Sequence, residues 1–214
     1  MIFSGDEYTE GLETILDVLK DNQVKASFFF TGRLYANREN KPSIERIIND
    51  GHYIGAHSDQ HLLYCDWKKR DSLLVTEKEF SDDLNEVYRK MQAFGIDKQK
   101  AAYFLPPYEW YNSEISKWTT KHHLQLINFT PGTLTAADYT YPEMENSYRS
   151  SEVILNSIFH YEKESSTDLN GFIMLIHVGA GPKRKDKFYN KLPHLLNKLM
   201  EKGYNFKRID ELLI

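Results

Sequence analysis

Short apolar runs alternate with longer helical segments along the whole chain, and this alternation constrains the fold more than any other feature. The runs lie at 2–3, 25–30, 53–56, 101–104, 125–129, 172–176 and 205–209. Each is brief and rich in β-branched or aromatic residues, as strands buried on both faces are. Between them, Leu12, Ile15, Leu16 and Leu19 share one helical face. Ile44, Ile47 and Ile48 repeat the pattern after Pro42, a residue suited to a helix start. Thr76 and Glu79 form a capping box for a helix that carries Leu84, Val87, Tyr88 and Met91 and stops at Gly95. Further helices are expected near 112–121, 151–164 and 188–202, the last ended by Gly203. Such alternation predicts an α/β fold with a parallel sheet under covering helices. About seven units predict a closed or nearly closed barrel, with functional groups on the loops after the strand ends. No linker, low-complexity tract or repeat interrupts residues 1–214, which read as a single domain.

Composition removes several function classes. With 27 basic and 31 acidic residues the net charge is −4, which gives no electrostatic case for nucleic-acid binding. The longest basic cluster, Lys183-Arg184-Lys185, is broken by Asp186 and reads as a solvated loop. The one cysteine, Cys65, can form neither an internal disulfide nor a cysteine zinc site, and no base adjoins it in sequence. No apolar stretch reaches the roughly 18 residues of a membrane helix. No signal peptide is visible at the N-terminus, so the expected location is cytoplasmic for the chain as it stands, or periplasmic or secreted if its true start lies upstream. Aromatics make up 14%, which reads as core and loop packing and is compatible with a sugar-stacking surface. Oligomeric state is not legible.

The polar residues just beyond the strands carry the chemistry. Ser4-Gly5-Asp6-Glu7 follows the first run, and His57-Ser58-Asp59-Gln60-His61 the third. Leu105-Pro106-Pro107-Tyr108-Glu109 follows the fourth, Thr130-Pro131-Gly132 the fifth with Asp138-Tyr139 further on, and His177-Val178-Gly179 the sixth. His57 and His61, spaced i, i+4, share one side of a helical turn and can point both rings at one ion; equally, they can cap their loop by hydrogen bonding. A carboxylate such as Asp6 suits the third place at Zn²⁺ or a similar divalent ion, leaving open positions for water and substrate. His177 ends an apolar strand, where a histidine is usually structural. Gly179 and Gly181 nearby let backbone approach a ligand, so His177 can also serve as a proton donor, with Asp138 orienting it or acting only as a turn residue. His52, His122, His123, His160 and His194 read as surface or structural.

Three segments make the order of motifs recognisable: ILDVLKDNQVKASFFFTG (15–32), DGHYIGAHSDQH (50–61) and GFIMLIH (171–177). Over nearly its whole length the chain resembles the polysaccharide deacetylases of the NodB-homology type, carbohydrate esterase family 4. The resemblance implies a distorted (β/α) barrel of about seven parallel strands. It also implies a divalent metal, usually Zn²⁺, with Ni²⁺, Co²⁺ or Mn²⁺ as alternatives, held by an Asp and two His, and removal of acetyl groups from N- or O-acetylated sugars. Residue by residue, His57 and His61 match the metal histidines and His177 the catalytic acid. Tyr108, in Pro-Pro-Tyr, matches the residue whose main-chain N–H binds the oxyanion. Asp138-Tyr139 resembles a weak form of the Asp-Trp motif that supports the acid.

Two departures stand out. The usual Asp-Asp of the first motif is Ser4-Gly5, so Asp6 takes the metal-ligand place only with a local bulge. The arginine that usually precedes Pro-Pro-Tyr and pairs with the base is Leu105. The losses are coupled, since either partner alone would be an uncompensated buried charge. The expectation is that Asp6 holds the metal and that a substitute base acts, Glu7 first and Glu109 second. Two alternatives remain: a catalytically degenerate carbohydrate-binding protein on the same fold, and a hydrolase of a non-peptide C–N bond in a non-sugar substrate.

Overall fold

The computed structural model describes residues 1–213. In chain order its elements are β1 (Ile2–Gly5), α1 (Leu12–Asp21), β2 (Ser27–Phe30), α2 (Gly32–Ala36), α3 (Lys41–Asn49), β3 (Tyr53–Ala56) and α4 (Glu77–Gln92). There follow β4 (Tyr103–Phe104), α5 (Ser113–Lys121), β5 (Gln125–Leu126), α6 (Ser151–Glu164), β6 (Leu175–His177), α7 (Leu192–Glu201) and α8 (Ile209–Leu212), with short 3-10 turns between. The fold is α/β, as expected, but the described residues form six strands in place of about seven.

The missing strand is the one expected at 205–209. Its donors are already spent: Arg208 N–H goes to the Glu211 carboxylate at 3.1 Å, and Ile209 N–H to Ser27 Oγ at 2.8 Å. Those bonds start α8 instead of extending a ladder. The apolar residues there signal burial, not pairing.

By its contacts the chain divides into two compact units. The middle unit comprises Gly5–Glu7 and Phe28–Asn128; the terminal unit comprises Met1–Ser4, Tyr8–Ser27 and the chain from Phe129 onward. In the middle unit the strands lie in the order β5-β4-β3-β2. β3 pairs parallel with β4 (Ala56 beside Phe104), and β4 with β5 (Tyr103 beside Gln125). Phe28, Phe29 and Phe30 are all fully buried, so β2 is covered on both faces. On α4, Phe80, Leu84, Val87 and Met91 make one buried stripe. The helix starts at the expected capping box, with Thr76 N–H donating to Glu79 Oε2 at 2.7 Å and Glu79 N–H to Thr76 Oγ1 at 3.2 Å. The Phe80 ring meets Tyr64 at 5.1 Å and Trp118 at 5.7 Å, so truncating it to Ala should cost about 3–5 kcal/mol.

In the terminal unit β1 and β6 run parallel, with Ser4 beside His177 in register. α1 buries Leu12, Ile15, Leu16 and Leu19, and α7 buries Leu192, Leu195, Leu196 and Leu199. Arg184, expected in a solvated loop, is fully buried. Its guanidinium donates to the carbonyl oxygens of Thr140 and Arg149 and to Ser151 Oγ, protein acceptors that replace water. Among the described residues no helix is long and apolar enough to cross a membrane.

Candidate active site

The middle unit carries the histidine pair. His57 follows β3 directly, and its N–H donates to the Phe30 carbonyl at 3.0 Å. The loop is not the helical turn its spacing suggests. Ser58 and His61 have φ of 69° and 55°, left-handed values that cost about 1–3 kcal/mol each unless their surroundings over-determine them. Here they do. Ser58 Oγ accepts His61 N–H at 2.9 Å, and the Asp83 carboxylate on α4 accepts the N–H groups of Asp59 and Gln60 at 2.9 and 2.8 Å. Asp59 pairs with Lys90 at 2.6 Å. A Cβ at position 32 would fall 1.6 Å from Asp59 Oδ1, so only glycine fits where α2 begins.

The loop brings His57 Nε2 to 3.2 Å from His61 Nε2. His57 Nδ1 lies 2.9 Å from the Leu105 carbonyl oxygen, which can only accept, so the ring carries its proton there and Nε2 keeps its lone pair. In the neutral pair, His61 Nε2–H then donates to His57 Nε2. Two imidazole nitrogens about 2.0–2.1 Å from one tetrahedral ion stand about 3.4 Å apart, so the 3.2 Å spacing fits two ligands of a single divalent cation. Leu105 supplies the outer contact that metal-binding histidines usually have. Among the described residues no three His, Cys, Asp or Glu side chains gather at metal-ligand spacing, so the geometry is that of a two-histidine half-site.

Two residues from the loop after β4 approach the pair. Glu109 Oε1 lies 3.9 Å from His57 Nε2 on a side chain only 13% exposed. The Tyr108 ring packs 4.4 Å from that of His61. Tyr108 and Glu109 are both left-handed, at φ of 58° and 53°. Trp67, which is exposed, lies 5.5 Å from the Tyr108 ring and 5.6 Å from Trp110, making an aromatic shelf beside the histidines.

Asp6 has a different set of partners. The Gly5 carbonyl at the end of β1 accepts Thr31 N–H at 3.1 Å, which sets Asp6 against the start of α2. Thr31 Oγ1 donates to Asp6 Oδ1 at 2.8 Å; Arg33 Nε donates to the same oxygen at 3.0 Å and Nη2 to Oδ2 at 2.5 Å. This is a two-pronged guanidinium–carboxylate pair. Thr31 and Arg33 are not among the residues that motif spacing singles out. Their position directly beyond the second apolar run, the same place the other functional groups hold after theirs, is the signal that marks them. Glu7 is exposed, and among the described residues its side chain has no hydrogen bond or ion pair.

The terminal unit carries the second cluster. The buried Asp138 carboxylate accepts from His177 Nδ1 at 2.5 Å and from His177 N–H at 2.9 Å. Ring and backbone are thereby held together, and Nε2 is the atom at which His177 can exchange a proton. Tyr139 meets the His177 ring edge-on at 5.3 Å. The glycines expected to admit a ligand have another use. A Cβ at Gly179 would fall 2.4 Å from the Tyr8 backbone, and one at Gly181 would fall 2.8 Å from the Tyr8 ring, so both make room for the chain's own residues. Burial pushes the Cys65 thiol up, away from the reactive thiolate.

The chain is similar to known proteins in both sequence and fold. The sequence profile of the polysaccharide deacetylase family matches residues 4–127. The peptidoglycan-N-acetylmuramic acid deacetylase of Bacillus subtilis is 25% identical over 199 residues, which cover 93% of this chain and 65% of that enzyme. Its solved structure superposes with a TM-score of 0.73, at 23% identity, over 99% of this chain and 78% of the other. A carbohydrate esterase family 4 pseudoenzyme from Bacillus anthracis superposes with a TM-score of 0.71, at 24% identity, over 100% of this chain and 65% of the other. At these identities the superpositions establish the fold, the distorted barrel of these esterases. The chain spans less than two thirds of the length of the curated relatives it matches.

Proposed function

Because the chain belongs to the polysaccharide deacetylase family, we propose that it is a metal-dependent hydrolase that removes acetyl groups from an acetylated carbohydrate. The observation that carries this reading is the His57–His61 pair, with Nε2 atoms 3.2 Å apart and His57 anchored through Nδ1 on the Leu105 carbonyl. A divalent ion there, Zn²⁺ first and Ni²⁺, Co²⁺ or Mn²⁺ as alternatives, supplies carbonyl polarisation and a water acidic enough to attack near neutral pH.

The chain's own residues do the rest. Leu105 keeps His57 in the tautomer that presents Nε2. Glu109, with Oε1 3.9 Å from His57 Nε2, is the carboxylate placed to take up a proton beside the pair, while Glu7 is exposed with no hydrogen bond or ion pair among the described residues to orient it. The Tyr108 main-chain N–H donates to the oxyanion, a contribution worth most where water is excluded. His177, held by Asp138, protonates the leaving amine or alkoxide at Nε2. The Trp67–Tyr108 shelf offers apolar ring faces to a sugar.

A second reading is a carbohydrate-binding protein that has lost hydrolysis. The observation favouring it is the engagement of Asp6 by Arg33 and Thr31 in a chain whose first motif reads Ser4-Gly5. Elemental analysis of protein purified without chelator, with His57→Ala as control, followed by acetate release from acetylated glycans, tests both. About one divalent ion per chain, lost in the variant, together with released acetate supports the hydrolase. Glycan binding without acetate release supports the second reading. Absence of metal even after Zn²⁺ addition overturns the first.

A further inference from the structure

We infer that Arg184 is a positioning residue for His177: it tethers the backbone that carries Asp138, and so fixes the direction in which the Asp138 carboxylate meets the ring. The inference rests on the reading of His177 as proton donor given above, and every residue in it belongs to the terminal unit.

Asp138 stands on backbone that no regular element holds. It follows a 3-10 turn over Thr135–Ala137, and its N–H donates to the Thr135 carbonyl at 3.2 Å. Thr140 closes the segment. Its N–H donates to the Ala137 carbonyl at 3.0 Å and its hydroxyl to the same oxygen at 2.6 Å, while that hydroxyl accepts the Arg149 N–H at 3.1 Å. The remaining group of Thr140, its carbonyl, accepts from Arg184 Nη1. The same nitrogen donates to the Arg149 carbonyl at 2.9 Å, and Nη2 donates to Oγ of Ser151, the first residue of α6, at 3.2 Å. Arg184 itself lies on the loop that leaves β6 at His177. The segment is therefore joined to that loop at two points, Asp138 to His177 and Thr140 to Arg184. One contact fixes a position; two fix a direction.

Stability alone does not account for an arginine at this place. The guanidinium is fully buried, and among the described residues its Nε–H has no hydrogen-bond partner. The carboxylate paired with it, Asp186, stands 3.8 Å away on a half-exposed side chain. An apolar side chain of similar volume often replaces a buried charge without loss, whereas a rigid fork of donors selects one arrangement of the carbonyls around it. Here the arrangement selected is the one that sets Asp138 against His177.

The test compares wild type, Arg184→Met, Arg184→Lys and Asp138→Asn in the full chain, with circular dichroism to confirm folding. ¹⁵N-histidine spectra at a pH where the ring is neutral read the tautomer of His177, whose signals are identified by their loss in His177→Gln. Wild type is expected to hold the proton on Nδ1 alone, and Arg184→Met should shift part of the population to Nε2. In acetate release Arg184→Met should lower kcat by about 10–100-fold, the scale of a lost supporting partner, with KM nearly unchanged. Added to Asp138→Asn it should cost less than about threefold more, because both changes act through one carboxylate. Arg184→Lys, a point charge in place of a fork, should show the same changes in smaller measure, and it carries the test if Arg184→Met does not fold. Mixed tautomers in wild type, a folded variant that keeps the wild-type tautomer, or losses that multiply in the double variant would make Arg184 merely structural and overturn the inference. A tautomer shift in a protein whose wild type releases no acetate supports the tether and overturns the hydrolase instead.

Discussion

Asp83 accepts the main-chain N–H of Gln60 at 2.8 Å, so a carboxylate on α4 fixes the turn that joins His57 to His61. With the Asp59 N–H on its other oxygen, Asp83 holds two donors of the left-handed loop, the Asp59 one buried and the Gln60 one part-buried. Replacing it by Ala should cost about 1–3 kcal/mol, the penalty for leaving the buried Asp59 donor unsatisfied. Denaturant unfolding measures that loss. The same variant should bind metal more weakly, and unchanged affinity would show that the histidines do not depend on the helix for their alignment.

The Asp138–His177 contact gives a second expectation. If His177 supplies the proton to the leaving group, His177→Gln should lower kcat by about 10²–10⁴-fold with little change in metal content. Asp138→Asn should lower kcat by about 10–100-fold, because the amide can accept from the ring or the main chain but no longer balances an imidazolium. Steady-state kinetics on an acetylated oligosaccharide decides this; full activity in either variant would remove His177 from the chemistry.

Restoring the arginine that usually precedes Pro-Pro-Tyr should fail here. Leu105 is fully buried and its carbonyl anchors His57. Ser4 and Gly5 offer no carboxylate where that arginine would seek one. Leu105→Arg is therefore expected to destabilise by about 3–5 kcal/mol, the cost of an uncompensated buried charge. For a chain of this length that corresponds to a fall in Tm of roughly 10 °C. A variant as stable as wild type would mean that a carboxylate can reach position 105 after all.

A pH dependence arises from Glu10. Burial acts to raise its carboxyl, but the hydrogen bond from Lys187 and the Ala180 N–H outweigh it and hold the group below the ordinary glutamate range. A lowered folded value means that this stabilisation is present in full above the ordinary range and is lost as pH falls through the lowered one. Amide exchange at Ala180, corrected for its intrinsic rate, should therefore show protection that holds at neutral pH and collapses in acid. Glu10→Gln should lack the acid-dependent part. Wild-type protection that survives below the glutamate range would contradict the assignment.

Much of the fold was legible because alternation of buried runs and amphipathic stretches is a property of the chain itself. The capping box at Thr76 and Glu79 and the buried faces of α1 and α7 come directly from spacing. The strand expected at 205–209 was not legible, because apolar content reports burial and is silent about where N–H groups go. Arg184 shows the same limit in reverse: a basic cluster reads as solvated until carbonyl oxygens from distant loops are brought around it. At the site, the histidine spacing pointed to convergence, but a left-handed loop makes it, not a helical turn. The Arg33–Asp6 fork joins residues 27 apart in sequence and belongs to no local pattern.

The four left-handed residues Ser58, His61, Tyr108 and Glu109 have a consequence for any attempt to harden this protein. Glycine at each would relax the backbone by about 1 kcal/mol or more, so a screen that rewards thermal tolerance alone would favour substitutions there. Each such gain would remove an imidazole, a carboxylate, an aromatic face or the hydroxyl that braces them. Directed evolution for robustness would thus erode this centre first, unless metal uptake were selected alongside it.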